Sequence, residues 1–98
     1  ISSLSSSAKI YIDHGASKAL KSGKSLLPAG IIKIAGNFKK GDNIVIVDNN
    51  NIDVARALSS FTSEEINKIK GLQSNQIENI LGYASKSEIV HKDDIVIL

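Results

Sequence analysis

The sequence predicts a mixed α+β domain, mainly β, in which about six short strands and three short helices form a small barrel. Three observations lead to this fold class. Short apolar stretches with β-branched residues recur along the 98 residues, tight-turn residues separate them, and no long β–α–β repeat is present. The apolar fraction of 42% with few aromatic residues suits one small core of aliphatic side chains.

Turn residues and apolar alternation place the strands. The six predicted strands are residues 8–12, 31–35, 43–48, 52–58, 88–91 and 95–98. The third is the strongest, because its centre is Ile-Val-Ile-Val. The triple Asn49-Asn50-Asn51 tolerates positive φ, so it predicts a hairpin turn between the third and fourth strands.

Capping residues place the helices. Asp13 stands at the N-cap of a first helix over residues 15–22, and Gly23 stands at its C′ position. For the second helix, Thr62 and Glu65 form a capping box. This helix is predicted to continue through about residue 70, and a third short helix follows it.

The ends of the third helix are set by two residues. Ser74 is predicted to cap this helix, and Gly82 is predicted to end it. Residues 1–7 are rich in serine, so we expect a linker or disordered terminus before a domain over residues 8–98. The chain contains no methionine, which predicts that it is a fragment of a longer protein. No apolar run is long enough to span a membrane, so we expect a cytoplasmic location.

The residue types exclude or disfavour several kinds of site. The chain has no cysteine, which excludes thiol chemistry and disulfides, and two isolated histidines disfavour a zinc site. Gly23-Lys24-Ser25 resembles the end of a phosphate-binding loop, but position 18 is lysine where that motif needs glycine, and a helix precedes it. Asp93-Asp94 could coordinate Mg²⁺, although such a pair before a strand is far more often turn chemistry. No nucleophile is placed beside a base, so no catalytic site is predicted.

Positive charge is concentrated in the first part of the chain. Residues 1–40 hold seven lysines against one acid, a balance of +6, whereas residues 41–98 carry −4, which leaves a net charge of +2. The positively charged residues 1–40 could bind a phosphate-rich partner or an acidic surface of the same protein. Alternatively, and with about equal weight, these lysines are ordinary solvent-exposed residues without a binding role.

The segment from Asp13 to Gly30 is the strongest candidate for a binding surface. Its small residues allow close approach of another backbone, and its lysines can neutralise phosphates. The small residues are Gly15, Ala16 and Ala19, and the lysines are Lys18, Lys21 and Lys24. A groove for a nucleic-acid backbone fits these properties. The alternative, which the residues alone favour, is that the glycines and Pro28 only shape a tight helix-to-strand connection.

The same segment resembles a known family. Ile12-Asp13-His14-Gly15-Ala16, followed by Gly23-Lys24-Ser25-Leu26-Leu27-Pro28-Ala29-Gly30, resembles the opening of a PUA domain of the type found at the C-terminus of bacterial glutamate 5-kinases. Gly41-Asp42, Ala55-Arg56 and Val90-His91-Lys92-Asp93-Asp94 extend the resemblance over nearly all of residues 9–98. Ala57 stands where that family usually has glycine, so the backbone there must tolerate a Cβ.

The resemblance implies a PUA-type pseudobarrel that is an accessory domain with a regulatory or assembly role. The implied parent, a glutamate 5-kinase, phosphorylates glutamate with ATP and Mg²⁺ in the first step of proline biosynthesis. The implied partner is the N-terminal amino-acid-kinase domain of the same protein, and the parent is implied to be a homo-oligomer. No catalytic, cofactor or metal residue is assigned to the present chain.

The resemblance also implies an RNA-binding surface, because PUA domains of RNA-modifying enzymes bind RNA along the first helix and the loop after it. The implied residues are Asp13, Gly15, Ala16, Lys24, Ser25, Leu26, Leu27 and Gly30. The charge argument adds Lys18 and Lys21. A stand-alone RNA-binding module is the alternative function.

Overall fold

The structure, a computed structural model, describes residues 8–83 and 86–98. The strands are β1 (Lys9–Ile12), β2 (Ile31–Ala35), β3 (Asn43–Val47), β4 (Asp53–Leu58) and β5 (Ile95–Ile97). The α-helices are α1 (His14–Lys21), α2 (Ser63–Ile69) and α3 (Ile77–Leu81). Short 3₁₀ helices cover Pro28–Gly30, Ser74–Gln76 and Lys92–Asp94.

One sheet joins the five strands in the order β2-β1-β3-β4-β5. β1 runs parallel to β3, and the other neighbouring pairs are antiparallel. Side chains alternate between the two faces of a sheet, so the register defines an inner and an outer face. A cross-strand row on the inner face consists of Ile34, Ile10, Ile46, Ala55 and Ile97.

The core lies between the inner face of the sheet and the helices. Leu20 of α1 and Ile66 and Ile69 of α2 are almost fully buried in one cluster with the inner strand residues. Phe61, in the connection before α2, is also buried there. Removal of this aliphatic surface from water is the main driving force for the fold.

The mixed, mainly β fold is confirmed, with five strands in place of about six among the described residues. Residues 88–91 do not form the strand predicted there, because Val90 makes only a single bridge, to Leu26. The pairing between these two segments cannot extend beyond Leu26. Pro28, two residues after Leu26, has no N–H to donate and begins a 3₁₀ helix.

The predicted caps of the first two helices are present. Oδ1 of Asp13 accepts a hydrogen bond from the N–H of Ala16 at 2.8 Å. In the capping box of α2, Thr62 Oγ1 accepts from the N–H of Glu65 at 3.1 Å, and Glu65 Oε1 accepts from the N–H of Thr62 at 2.8 Å. These bonds satisfy backbone donors that the first helical turn leaves without a partner.

The predicted cap at Ser74 is wrong. Ser74 is the first residue of a 3₁₀ helix, whose N-cap is Gln73 without a side-chain hydrogen bond. This 3₁₀ helix continues directly into α3, so the helical segment starts earlier than the serine suggested. The predicted end at Gly82 is present, with the left-handed backbone that a helix C-terminus often needs.

Two further expectations concern single residues and the chain ends. Ala57 lies on the inner face opposite Ile44, where its Cβ is buried in the core, so the backbone accommodates the residue that replaces the family's glycine.

The predicted linker over residues 1–7 lies outside the described residues, and the domain limits stay a prediction. No helix in the described part of the chain is long and apolar enough to cross a membrane.

Tyr83 connects the end of α3 to the start of α2. Its hydroxyl donates a short hydrogen bond to Oε2 of Glu65. Burial acts to raise the pKa of Glu65, but hydrogen bonds from Tyr83 and Thr62 and the charge of Lys40 together hold this pKa below its ordinary value of 4.5. The bond to Glu65 also raises the pKa of Tyr83.

Replacement of Tyr83 by Phe should therefore reduce stability in a pH-dependent way. A carboxyl group whose pKa is lower in the folded state contributes stability above its unfolded pKa and loses it as pH falls through the folded pKa. We expect Y83F to have a smaller free energy of unfolding than wild type at about pH 7, with a smaller difference at about pH 3. Urea unfolding at both pH values measures this, with Y11F as the control. An equal difference at both pH values would contradict the assignment.

Candidate nucleic-acid interface

A shallow groove of about 250 Å³ lies between α1 and the loop that leads to β2. Seven of the ten predicted site residues line it, together with two alanines. The lining residues are Asp13, Gly15, Ala16, Ala19, Ser25, Leu26, Leu27, Ala29 and Gly30. The structure thus brings both ends of the predicted segment together. Lys18, Lys21 and Lys24 lie outside the groove lining.

Close packing between Gly30 and Ala16 sets the width of the groove. A Cβ added to Gly30 would lie 2.5 Å from the Cβ of Ala16, which is shorter than any ordinary carbon–carbon contact. The N–H of Asp13 donates to the carbonyl oxygen of Gly30 at 3.0 Å, so the backbones are also hydrogen-bonded here. Glycine is therefore required at position 30 by close approach, and not by an unusual φ.

A glycine in the left-handed region ends α1 and directs the chain into the loop. Gly23 has φ of +84°. Its N–H donates to the carbonyl of Leu20, and the N–H of Lys24 donates to the carbonyl of Ala19, each at 3.0 Å. This pair of hydrogen bonds is the Schellman motif, which satisfies carbonyl groups at the end of a helix.

The three lysines form a basic surface at the C-terminal end of α1. Lys18, Lys21 and Lys24 are exposed, and none of them makes an ion pair with another described residue. Cations are favourable at this end of a helix, because the helix dipole is negative there. The acid nearest in sequence, Asp13, accepts the capping hydrogen bond at the opposite end of the helix.

Segments distant in sequence hold the loop over residues 23–30 in place. The N–H of Leu26 donates to the carbonyl of Val90 at 3.0 Å. The carbonyl of Pro28 accepts from the N–H of Gly71 at 2.7 Å. Because backbone bonds fix the loop on two sides, the groove exists before any ligand arrives.

Lys92 joins the candidate surface through a contact that the sequence prediction of the site did not include. Its N–H donates to Oγ of Ser25 at 2.9 Å across a separation of 67 residues. The neighbouring His91 accepts a hydrogen bond from the N–H of Asp93 at Nδ1, 3.1 Å away. Residue spacing alone cannot predict a contact between Ser25 and Lys92, because these positions are so far apart in sequence. The only signal in the sequence was that both residues belong to segments that resemble the PUA family, Lys92 to the closing segment Val90–Asp94.

The acidic pair Asp93-Asp94 is the Mg²⁺ candidate that the sequence offered. No group of three His, Asp or Glu side chains within residues 8–83 and 86–98 is arranged to hold a metal ion. Asp93 and Asp94 lie in the 3₁₀ helix Lys92–Asp94 and are exposed. Their position matches the turn chemistry expected of an acidic pair before a strand.

Residues 8–81 match the family model of the PUA domain. The chain therefore belongs to the PUA domain family, as the resemblance in the sequence indicated. Two solved structures show the same fold. A PUA domain from Aeropyrum pernix K1, in complex with tartrate, has a TM-score of 0.65 at 17% identity and covers 87% of this chain and 41% of its own. A chain of the archaeal box H/ACA sRNP Nop10-Cbf5 complex has a TM-score of 0.60 at 23% identity, covering 93% and 23%.

Curated relatives are named glutamate 5-kinase. The relative from Pelagibacter ubique is 58% identical over 96 residues, which are 98% of this chain and 26% of that protein. Those from Thermoanaerobacter sp. and Aquifex aeolicus are 46% and 44% identical, over 94% and 90% of this chain and 25% and 24% of the respective proteins. This chain is thus homologous to the C-terminal domain of these enzymes and spans about a quarter of their length.

The contact between Gly30 and Ala16 gives a direct test of the groove. Gly30→Ala should lower the free energy of unfolding by about 1–3 kcal/mol, because an added methyl group overpacks the site. Gly15→Ala is the matched control, since its Cβ would lie 3.6 Å from Oδ1 of Asp13, an ordinary contact. Urea unfolding of both variants measures the difference. Equal stability of G30A and G15A would contradict the packing described here.

Proposed function

We propose that this chain is the C-terminal accessory domain of a glutamate 5-kinase, with a regulatory or assembly role. The observation that supports this most strongly is the match to glutamate 5-kinases along 90% or more of the chain, although only about a quarter of each enzyme is covered. In this proposal an N-terminal amino-acid-kinase domain of the same protein binds glutamate, ATP and Mg²⁺. That domain phosphorylates the glutamate carboxyl group for proline biosynthesis, in a homo-oligomeric enzyme.

The structure of the domain suits such a role. A groove held by backbone hydrogen bonds and a core of tightly packed aliphatic side chains form a rigid body that presents fixed surfaces. Rigid surfaces can dock against a neighbouring domain or subunit without the entropy cost of ordering a loop. We assign no step of phosphoryl transfer to any residue of this domain.

The kinase proposal predicts a division of activity between the parts of the parent protein. The full-length parent should convert ATP to ADP in a glutamate-dependent reaction, whereas the isolated residues 1–98 should not. A coupled assay for ADP, with and without glutamate, measures both. A full-length parent without glutamate-dependent turnover, or an isolated domain that phosphorylates glutamate, would reject the proposal.

RNA binding is a second candidate function, favoured by the position of three exposed lysines beside the preformed groove. Lys18, Lys21 and Lys24 can neutralise phosphates of a backbone that passes along α1. The small side chains at Gly15 and Ala16 allow that backbone to come close. The same fold occurs in a chain of an archaeal ribonucleoprotein complex, which adds support for this candidate.

Charge reversal tests RNA binding. The triple variant K18E/K21E/K24E should lose affinity for structured RNA, and the slope of log K against log salt should fall by up to about 3, one for each lost phosphate contact. K33E/K39E/K68E is the matched control, because it changes the net charge equally with exposed lysines outside α1 and the loop. Fluorescence titration at low and moderate salt gives both quantities. An equal loss in the control would indicate unspecific attraction, and no binding by wild type at low salt would exclude this function.

A further inference from the structure

A cavity of about 420 Å³ lies between the connection after β4 and the segments that lead to β3 and β5. It shares no lining residue with the groove beside α1. Its volume falls within the range of about 300–1,000 Å³ that is usual for small-molecule sites. The cavity is lined by Lys40, Gly41, residues 58–61, Tyr83, Lys86 and Asp94.

Backbone hydrogen bonds hold the lining of this cavity in place. The N–H of Gly41 donates to the carbonyl of Ser59 at 2.7 Å, and the N–H of Ser60 donates to the carbonyl of Ile89 at 3.0 Å. Ser59 and Phe61 are only 3% and 1% exposed, so the lining is anchored in the core. The cavity is therefore formed before a ligand arrives, which lowers the entropy cost of binding.

One part of the lining is apolar. It consists of the side chains of Leu58 and Phe61 and the aromatic ring of Tyr83. The hydroxyl of Tyr83 donates to Glu65, and this hydrogen bond fixes the orientation of the ring. Such a wall suits an aliphatic group of a ligand, because contact with it removes apolar surface from water.

Charges of both signs line the same cavity without pairing with each other. Lys40 and Asp94 are exposed, and neither makes an ion pair with another described residue. Lys40 acts on the carboxyl of Glu65 only at longer range, where its charge helps to lower the pKa of that group. Lys86 adds a second positive charge to the lining. A ligand that carries both a carboxylate and an ammonium group would complement these charges.

We propose that this cavity binds an α-amino acid with a small aliphatic side chain. Lys40 pairs with the carboxylate of the ligand, Asp94 pairs with its ammonium group, and Lys86 adds positive potential. The aliphatic side chain of the ligand contacts Leu58 and Phe61. A simple carboxylate would leave Asp94 without a partner, and a simple amine would do the same for Lys40, so the site prefers the molecule that carries both groups.

An NMR titration of the backbone amides of this chain with L-valine tests the site. Valine at up to about 20 mM, which saturates a site with a Kd of about 1 mM, should shift the amide signals of Gly41 and Ser60. The signal of Gly15, in the groove, should not move. Isovalerate lacks the ammonium group of valine and isobutylamine lacks its carboxylate, so each should bind about threefold more weakly than valine or less tightly still.

Substitutions of the charged lining residues give a second test. K40Q and D94N should each weaken valine binding about threefold, because each removes the partner of one charged group of the ligand. K68Q and D53N are the matched controls, since they remove the same charges from exposed residues outside the cavity. Both controls should bind valine as wild type does. Thermal unfolding of each variant identifies any loss of folding.

Several results would overturn this inference. They are the absence of any shift with valine, equally tight binding of isovalerate or isobutylamine, and unchanged affinity in K40Q and D94N. Shifts at Gly15 without shifts at Gly41 would place the ligand in the groove and overturn it as well. The titration needs only this chain, whereas glutamate-dependent ADP formation is measured on the full-length parent, so this inference and the proposed function can fail separately.

Discussion

The packing of Gly30 against Ala16 is the contact on which the rest of the candidate site depends. It brings the start of α1 close to the start of β2. The hydrogen bond from the N–H of Asp13 to the carbonyl of Gly30 holds these two segments together. The loop between these elements must then return over a short distance, which the Schellman turn at Gly23 makes possible. This contact sets the width of the groove, while the backbone bonds of Leu26 and Pro28 hold the loop from its other side.

Local signals predicted most of the fold, because strands, caps and turns depend on neighbouring residues. The Ile-Val strand β3, the capping box at Thr62 and the positive φ of Asn51 in the asparagine turn are examples. The predicted strand over residues 88–91 was wrong, because a partner of suitable length did not exist. The residue that limits this pairing is Pro28, some sixty residues earlier in the chain, because it restricts Leu26 to a single bridge with Val90.

The candidate site shows the same division between local and distant information. Seven of its residues could be predicted because they lie within one segment, where small side chains and turn residues have a local meaning. Lys92 could not be placed beside Ser25 from spacing, since the contact depends on how the C-terminal segment returns past the loop. The order and register of the strands likewise do not follow from the alternation within any single strand.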